Sequence, residues 1–205
     1  MNVFVLCTGR CGSLTFIRAC GHMTNFTAGH ETRQARLGAD RLAYPDRHIE
    51  ADQRLSWFLG RLDEAYGDRA RYVHLTRDPD ATARSWARRF QVLGGIAPAY
   101  RDAILGDASN PGRISRVEAA TDYVATVTSN IRLFLKDKTH RMDFALENAE
   151  ADFRRFWDWI GAEGDYAAAA AEWRLRHDTE TRRARPKQRV RDMAVRVKRA
   201  ILPPR

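Results

Sequence analysis

Short apolar runs alternate with glycine turns and amphipathic stretches along most of the chain. The run at residues 2–7 is typical of a buried parallel strand, and it ends in a glycine turn from which a helix begins at Ser13. Four further strands are predicted at residues 24–28, 48–51, 72–76 and 141–146. Helices are predicted at residues 13–23, 53–66, from 79, 115–135, 149–160 and 167–176. This alternation predicts a three-layer α/β sandwich on a central, mostly parallel sheet of about five strands, with a helical C-terminal part.

Two of the predicted helices begin with explicit capping signals. Asp78 can cap a helix whose first turn holds Pro79, a position at which the missing N–H of proline costs nothing. Ser115 and Glu118 have the spacing of a capping box. Residues 91–114 contain the pair Gly94-Gly95 and an Asn-Pro-Gly turn, and the sequence therefore predicts that they are mostly loop.

Length and composition indicate one globular domain with free thiols. A chain of 205 residues suits a single domain, and no apolar run approaches the roughly 20 residues that span a bilayer. The first residues read as a strand and not as a signal peptide, so a cytoplasmic protein is expected. Three cysteines without metal-ligand spacing predict neither a disulfide framework nor a zinc site; they are Cys7, Cys11 and Cys20.

The positive charge is concentrated at the C-terminal end. Residues 174–205 hold 12 Lys/Arg and 3 Asp/Glu, whereas residues 1–173 hold 23 of each and form the predicted α/β domain. A basic segment on a neutral body fits a nucleic-acid arm, a membrane-surface helix, or a lid over a polyphosphorylated ligand. Few aromatic residues accompany these arginines, which disfavours nucleic acid. Residues 190–202 carry an apolar stripe, which fits either peripheral membrane contact or a packed terminal helix.

The segment Thr8–Thr15 is the first candidate site. It leaves a strand, turns on two glycines and enters a helix, where outward-pointing backbone N–H groups and the helix dipole favour an anion. Arg10 adds a full positive charge, and Ser13 and Thr15 add hydroxyl donors. The segment matches neither the Walker A pattern nor the dinucleotide pattern G-x-G-x-x-G. It therefore predicts a loop for a 5′-phosphate-like group without an evident metal.

A second candidate site follows the strand at 72–76. Arg77 stands at the carboxyl end of that strand, and Ser85 lies eight residues later in the following helix. Both motifs are placed where ligands bind in parallel α/β sheets. The sequence therefore predicts that Arg77 and Ser85 hold a second phosphate.

Together the two elements resemble the cofactor-binding motifs of sulfotransferases that use 3′-phosphoadenosine 5′-phosphosulfate (PAPS). Gly-Arg-Cys-Gly-Ser-Leu-Thr at 9–15 is similar to the 5′-phosphosulfate loop, and Val-His-Leu-Thr-Arg-Asp-Pro at 73–79 with Ser85 is similar to the 3′-phosphate element. The resemblance implies that Arg10 contacts the sulfuryl group and that Arg77 and Ser85 bind the 3′-phosphate. It assigns the rest of the first segment to the 5′-phosphate, namely Cys11, Gly12, Ser13, Leu14 and Thr15. It also implies a P-loop nucleotide-hydrolase-like fold and makes residues 185–189 a candidate for the family's late basic loop.

Transfer to an acceptor also requires a base. Glu31 is the first candidate, because several branches of the family use a glutamate after the second strand, which we expect to lie beside the first. His30 is the second candidate and Glu50 the third. His74, inside a strand, is expected to be a core residue.

The predicted activity is in-line transfer of the sulfuryl group from PAPS to a hydroxyl or amine acceptor, without a metal. The acceptor could be a small molecule, a glycan or a lipid, and the sequence leaves it open, as it does the oligomeric state. One alternative is a P-loop-type nucleotide kinase or phosphotransferase, for which the Walker A residues are missing. The other is a non-catalytic nucleotide- or nucleic-acid-binding protein that uses the basic segment.

Overall fold

The computed structural model describes residues 1–90 and 95–175. The predictions for the basic segment 174–205, including the lid at 185–189 and the apolar stripe at 190–202, lie almost wholly outside these residues. Within the described ranges, five strands form one sheet in the order β2-β3-β1-β4-β5. The strands are β1 (Val3–Leu6), β2 (Thr27–His30), β3 (His48–Ala51), β4 (Arg71–Thr76) and β5 (Arg141–Ala145).

Every neighbouring pair in the sheet is parallel, so the carboxyl ends of all five strands lie at one edge. The strands are linked by helices that cover both faces. The helices are α1 (Ser13–Cys20), α2 (Leu59–Tyr66), α3 (Pro79–Ala87), α4 (Ile96–Ala99), α5 (Arg116–Leu135), α6 (Ala149–Ile160) and α7 (Tyr166–Ala171). The predicted three-layer α/β fold is therefore confirmed.

Alternate residues of the strands enter two separate apolar cores. Val3 and Val5 of β1 pack with α1, α6 and α7, while Phe4 and Leu6 pack with α2, α3 and α5. Each fully buried aromatic or aliphatic side chain contributes about 1.5–3 kcal/mol relative to exposure. Burial on both faces explains why β1 is a continuous apolar run and not an alternating one.

Helices α3 and α5 begin where their capping signals predict. The Asp78 carboxylate accepts the backbone N–H of Ala81 at 2.7 Å, with Pro79 in the first turn of α3. The Ser115 hydroxyl accepts the N–H of Glu118, whose own carboxylate accepts the N–H of Ser115, as a capping box requires. In the described part of the chain, no helix has the length and apolar character needed to cross a bilayer.

The second strand differs from its prediction in extent and in position. Strand β2 begins at Thr27 and contains Gly29, whereas a strand at 24–28 ending before Gly29 was expected. It pairs only with β3 among the described strands and is therefore an edge strand, so the expectation that it lies beside β1 is wrong. All four residues of β3 are buried, whereas Thr27 is exposed. Strand β2, which has exposed and partly exposed residues, is the edge strand, and the fully buried β3 lies between β2 and β1.

Two segments differ from their predicted secondary structure: one predicted loop is partly helical, and one predicted helix begins as a 3₁₀ segment. Residues 96–104, expected to be loop, form α4 and one wide helical turn, because Tyr100 is buried against Tyr123 and its hydroxyl donates to Asp122 at 2.5 Å. The predicted helix at 53–66 is a 3₁₀ segment, Gln53–Trp57, followed by α2. Asp52 caps the 3₁₀ segment by accepting the N–H of Arg54 at 2.8 Å.

Candidate anion-binding site at the carboxyl edge of the sheet

The turn after β1 is anchored by the second core. The backbone carbonyl of Thr8 accepts hydrogen bonds from Trp86 Nε1 and from Tyr123 OH, both at 3.1 Å. At Gly9 the backbone is left-handed (φ 74°) and a Cβ atom would lie 2.9 Å from Trp86 Cζ2, so the turn favours glycine at this position. Trp86 and Tyr123 therefore hold the turn in place through these hydrogen bonds. The local sequence of the turn did not predict this role.

The turn then delivers its polar groups to the start of α1. Arg10 has a left-handed backbone (φ 62°), and so has Gly12 (φ 91°), where a Cβ would lie 2.7 Å from Leu146 Cδ1. No acidic residue lies in the first turn of α1, and Ser13 is its first residue. This arrangement leaves the positive end of the helix dipole open to an anion.

The two predicted phosphate elements meet at Arg10. Arg10 Nε donates to Ser85 Oγ at 3.1 Å, although the two residues are 75 positions apart in sequence. Arg77 Nη1 donates to the backbone carbonyl of Arg10 at 3.2 Å. The structure thus brings together the three residues that the sequence assigned to two separate anionic groups.

Positive charge is crowded around the Arg10 guanidinium. Partial burial lowers the pKa of Arg10, and repulsion from Arg89, Arg77 and Arg88 lowers it further. Arginine remains protonated at neutral pH in any case, so Arg10 keeps its positive charge. A bound anion would offset the repulsion among these arginines, and the site is therefore suited to a ligand with several negative charges.

The end of β2 contributes the candidate bases to the same edge. His30 Nε2 lies 3.0 Å from Ser13 Oγ. His30 therefore lies beside the start of α1, although β3 separates β2, which carries His30, from β1, which leads into α1. Glu31, which follows with φ 54°, has its Oε2 atom 2.8 Å from Arg54 Nη1. Within the described residues this contact lacks hydrogen-bond alignment, so it is an ion pair without a well-formed hydrogen bond.

Glu50 lies below this edge and has no access to solvent. Its carboxylate accepts hydrogen bonds from the N–H and the hydroxyl of Thr32, both at 2.7 Å, and lies 2.9 Å from His48 Nε2. At Gly29 a Cβ would lie 2.3 Å from Thr32 Cγ2, so glycine is needed for this close packing. Glu50 therefore secures the turn that carries His30 and Glu31, and its burial keeps it from a substrate.

The three cysteines are free thiols, as the sequence predicted, and all three are buried. A hydrogen bond with Cys11 has the largest effect on the pKa of the Cys7 thiol and raises it. Burial raises this pKa further. The Cys11 thiol therefore points into the core, and only its backbone is available to a ligand in the turn. His74 is likewise a core residue, and burial lowers its pKa.

Two further features of the described residues bear on ligands. Among them, no group of three or more His, Cys, Asp or Glu side chains is placed to hold a metal ion. A cavity of about 900 Å³ lies between the start of β5 and the end of α6. Because its lining includes Arg141 and Trp159, it sits at the amino end of the sheet and away from the turn after β1.

The parallel sheet, the glycine turn and the cationic cluster define a P-loop-like α/β protein with a candidate anion site. Among solved structures, the chain is similar to the sulfotransferase domain from the curacin biosynthetic pathway, with a TM-score of 0.58 and 14% sequence identity. The match covers 81% of this chain and 75% of that one. No family model and no curated protein matches the sequence. At this identity the similarity establishes a sulfotransferase-like fold.

Proposed function

We propose that this protein is a sulfotransferase that moves the sulfuryl group of PAPS to a hydroxyl or amine acceptor. The observation that carries the proposal is the meeting of Arg10, Ser85 and Arg77 at one edge of the sheet. The sulfotransferase-like fold supports it. The crowded guanidinium groups favour a ligand with several negative charges, such as a nucleotide with phosphates at both the 3′ and the 5′ positions.

In this proposal each element binds one end of the donor nucleotide. The backbone of residues 11–15 and the hydroxyls of Ser13 and Thr15 bind the 5′-phosphate at the start of α1. Arg77 and Ser85 bind the 3′-phosphate. Arg10 then lies between the two ends and next to the oxygen that bridges phosphorus and sulfur.

The chemistry follows from these positions. As the S–O bond to the donor breaks and the acceptor oxygen or nitrogen attacks in line, negative charge builds on the bridging oxygen. The fixed positive charge of Arg10 stabilises that oxygen without a proton transfer. The acceptor loses its proton to a base, for which Glu31 and His30 are the candidates. The carboxylate of Glu31 forms an ion pair with Arg54.

The donor is tested by calorimetric titration of the full chain with adenosine 3′,5′-bisphosphate, with 5′-AMP and Mg-ATP as controls. We expect at least tenfold tighter binding of the bisphosphate, since one additional charge-assisted phosphate contact contributes about 1.5–3 kcal/mol. Equal affinity for 5′-AMP would contradict the proposal. Tighter binding of Mg-ATP would favour the alternative, a P-loop-type phosphotransferase.

The Arg77→Ala variant is expected to bind adenosine 3′,5′-bisphosphate about 10- to 150-fold more weakly than wild type, because it lacks the charged partner of the 3′-phosphate. Binding of 5′-AMP, which has no 3′-phosphate, should change little. The same titrations measure both effects. Arg69→Ala is the matched control, since Arg69 is exposed and precedes β4 at the opposite edge of the sheet. Unchanged bisphosphate affinity in Arg77→Ala would show that the 3′-phosphate binds elsewhere.

A further inference from the structure

Helix α3 and the turn that follows it place more than one polar residue on the side of Arg10. Ser85 accepts a hydrogen bond from Arg10 Nε, and the chain continues as a helical turn beyond Ala87, because the N–H of Arg89 donates to the carbonyl of Trp86 at 2.8 Å. Residues four positions apart on a helix lie on the same face. Arg89 follows Ser85 by four positions and therefore extends the face that meets Arg10.

The electrostatic environment supports this placement. Among the charged neighbours that lower the pKa of Arg10, Arg89 has the largest effect and exceeds Arg77. The contact of Arg77 is to the backbone carbonyl of Arg10 and not to its guanidinium. Arg89 is half-buried at this position, whereas Arg84, on the preceding turn of α3, is exposed.

We propose that Arg89 is a third cationic residue of the donor site and binds the sulfuryl-bearing 5′ end of the nucleotide beside Arg10. This inference rests on the proposed function. The planar guanidinium group can bind two oxygens of a phosphate or sulfate at once, which makes arginine well suited to this position. Arg89 and Arg77 both repel the charge of Arg10, and an anion bound among the three arginines offsets that repulsion. Position 89 belongs to neither of the two sequence motifs.

The test is calorimetric titration of the full-length Arg89→Gln and Arg84→Gln variants with adenosine 3′,5′-bisphosphate and with 3′-AMP. Arg84→Gln removes the same charge from the same helix and is the matched control. We expect Arg89→Gln to weaken bisphosphate binding by about 10- to 150-fold, as the loss of a charge-assisted contact does, and Arg84→Gln to change it by less than about threefold. Binding of 3′-AMP should be nearly the same in both variants, because it has no 5′-phosphate.

The possible outcomes separate this inference from the proposed function. If wild type prefers the bisphosphate but Arg89→Gln binds it like Arg84→Gln, the role of Arg89 is wrong and the proposed function stands. A comparable loss for 3′-AMP would overturn the placement at the 5′ end. If wild type itself shows no preference for the bisphosphate over 5′-AMP, both proposals fail. If Arg89→Gln has a lower melting temperature than wild type, Arg89→Lys is titrated with the bisphosphate instead. A several-fold loss of affinity supports a contact of the Arg89 guanidinium with two oxygens of the ligand, and wild-type affinity overturns that contact.

Discussion

The Glu31→Gln variant is expected to turn over about 10²- to 10⁴-fold more slowly than wild type, the range that general acid–base catalysis contributes. Glutamine has nearly the same shape as glutamate but cannot accept a proton from the acceptor. Affinity for adenosine 3′,5′-bisphosphate should stay close to that of wild type, because Glu31 follows β2 and is not part of either phosphate element. The rate is measured with labelled PAPS and an acceptor found by screening hydroxyl and amine compounds.

The control for this variant is Glu64→Gln, which makes the same change at an exposed position of α2. It should leave both turnover and nucleotide affinity unchanged. An unchanged rate in Glu31→Gln would exclude Glu31 as the base and leave His30, whose ring lies beside Ser13 at the start of α1. A loss of bisphosphate affinity equal to the loss of rate would instead assign Glu31 to positioning of the site.

The Arg10→Ala variant is expected to lose about 10²- to 10³-fold in turnover, the usual effect of removing one group that stabilises developing charge. Its affinity for the bisphosphate should fall less, because the bridging oxygen carries most of its charge only in the transition state. Single-turnover rates with labelled PAPS and calorimetric titration of the bisphosphate measure the two quantities separately.

Arg10→Lys provides the matched variant, since it keeps the positive charge but loses the planar group that donates to Ser85. It should retain much of the turnover that Arg10→Ala loses. If both substitutions reduced affinity and turnover by the same factor, Arg10 would bind the donor in the ground state and have no special role in the transition state.

The local elements of the fold were predictable because their signals are local. Burial on both faces makes β1 a continuous apolar run, and a proline or a capping box marks the starts of α3 and α5. The position of both phosphate elements at one edge also followed from the sequence, since the carboxyl ends of parallel strands coincide. The helix at 96–99 was missed because it depends on the burial of neighbouring Tyr100 and not on local propensity.

The sequence by itself determined the α/β class, and it predicted an anion-binding turn after β1 and a shared role for Arg77 and Ser85. Only the tertiary structure decided that β2 is an edge strand, that Glu50 is buried under the turn after β2, and that Arg10 bonds to Ser85. The repulsion between Arg89 and Arg10 likewise depends on the tertiary structure. Strand order and side-chain contacts across 75 positions depend on how the two cores pack, and no local pattern of residues encodes that packing.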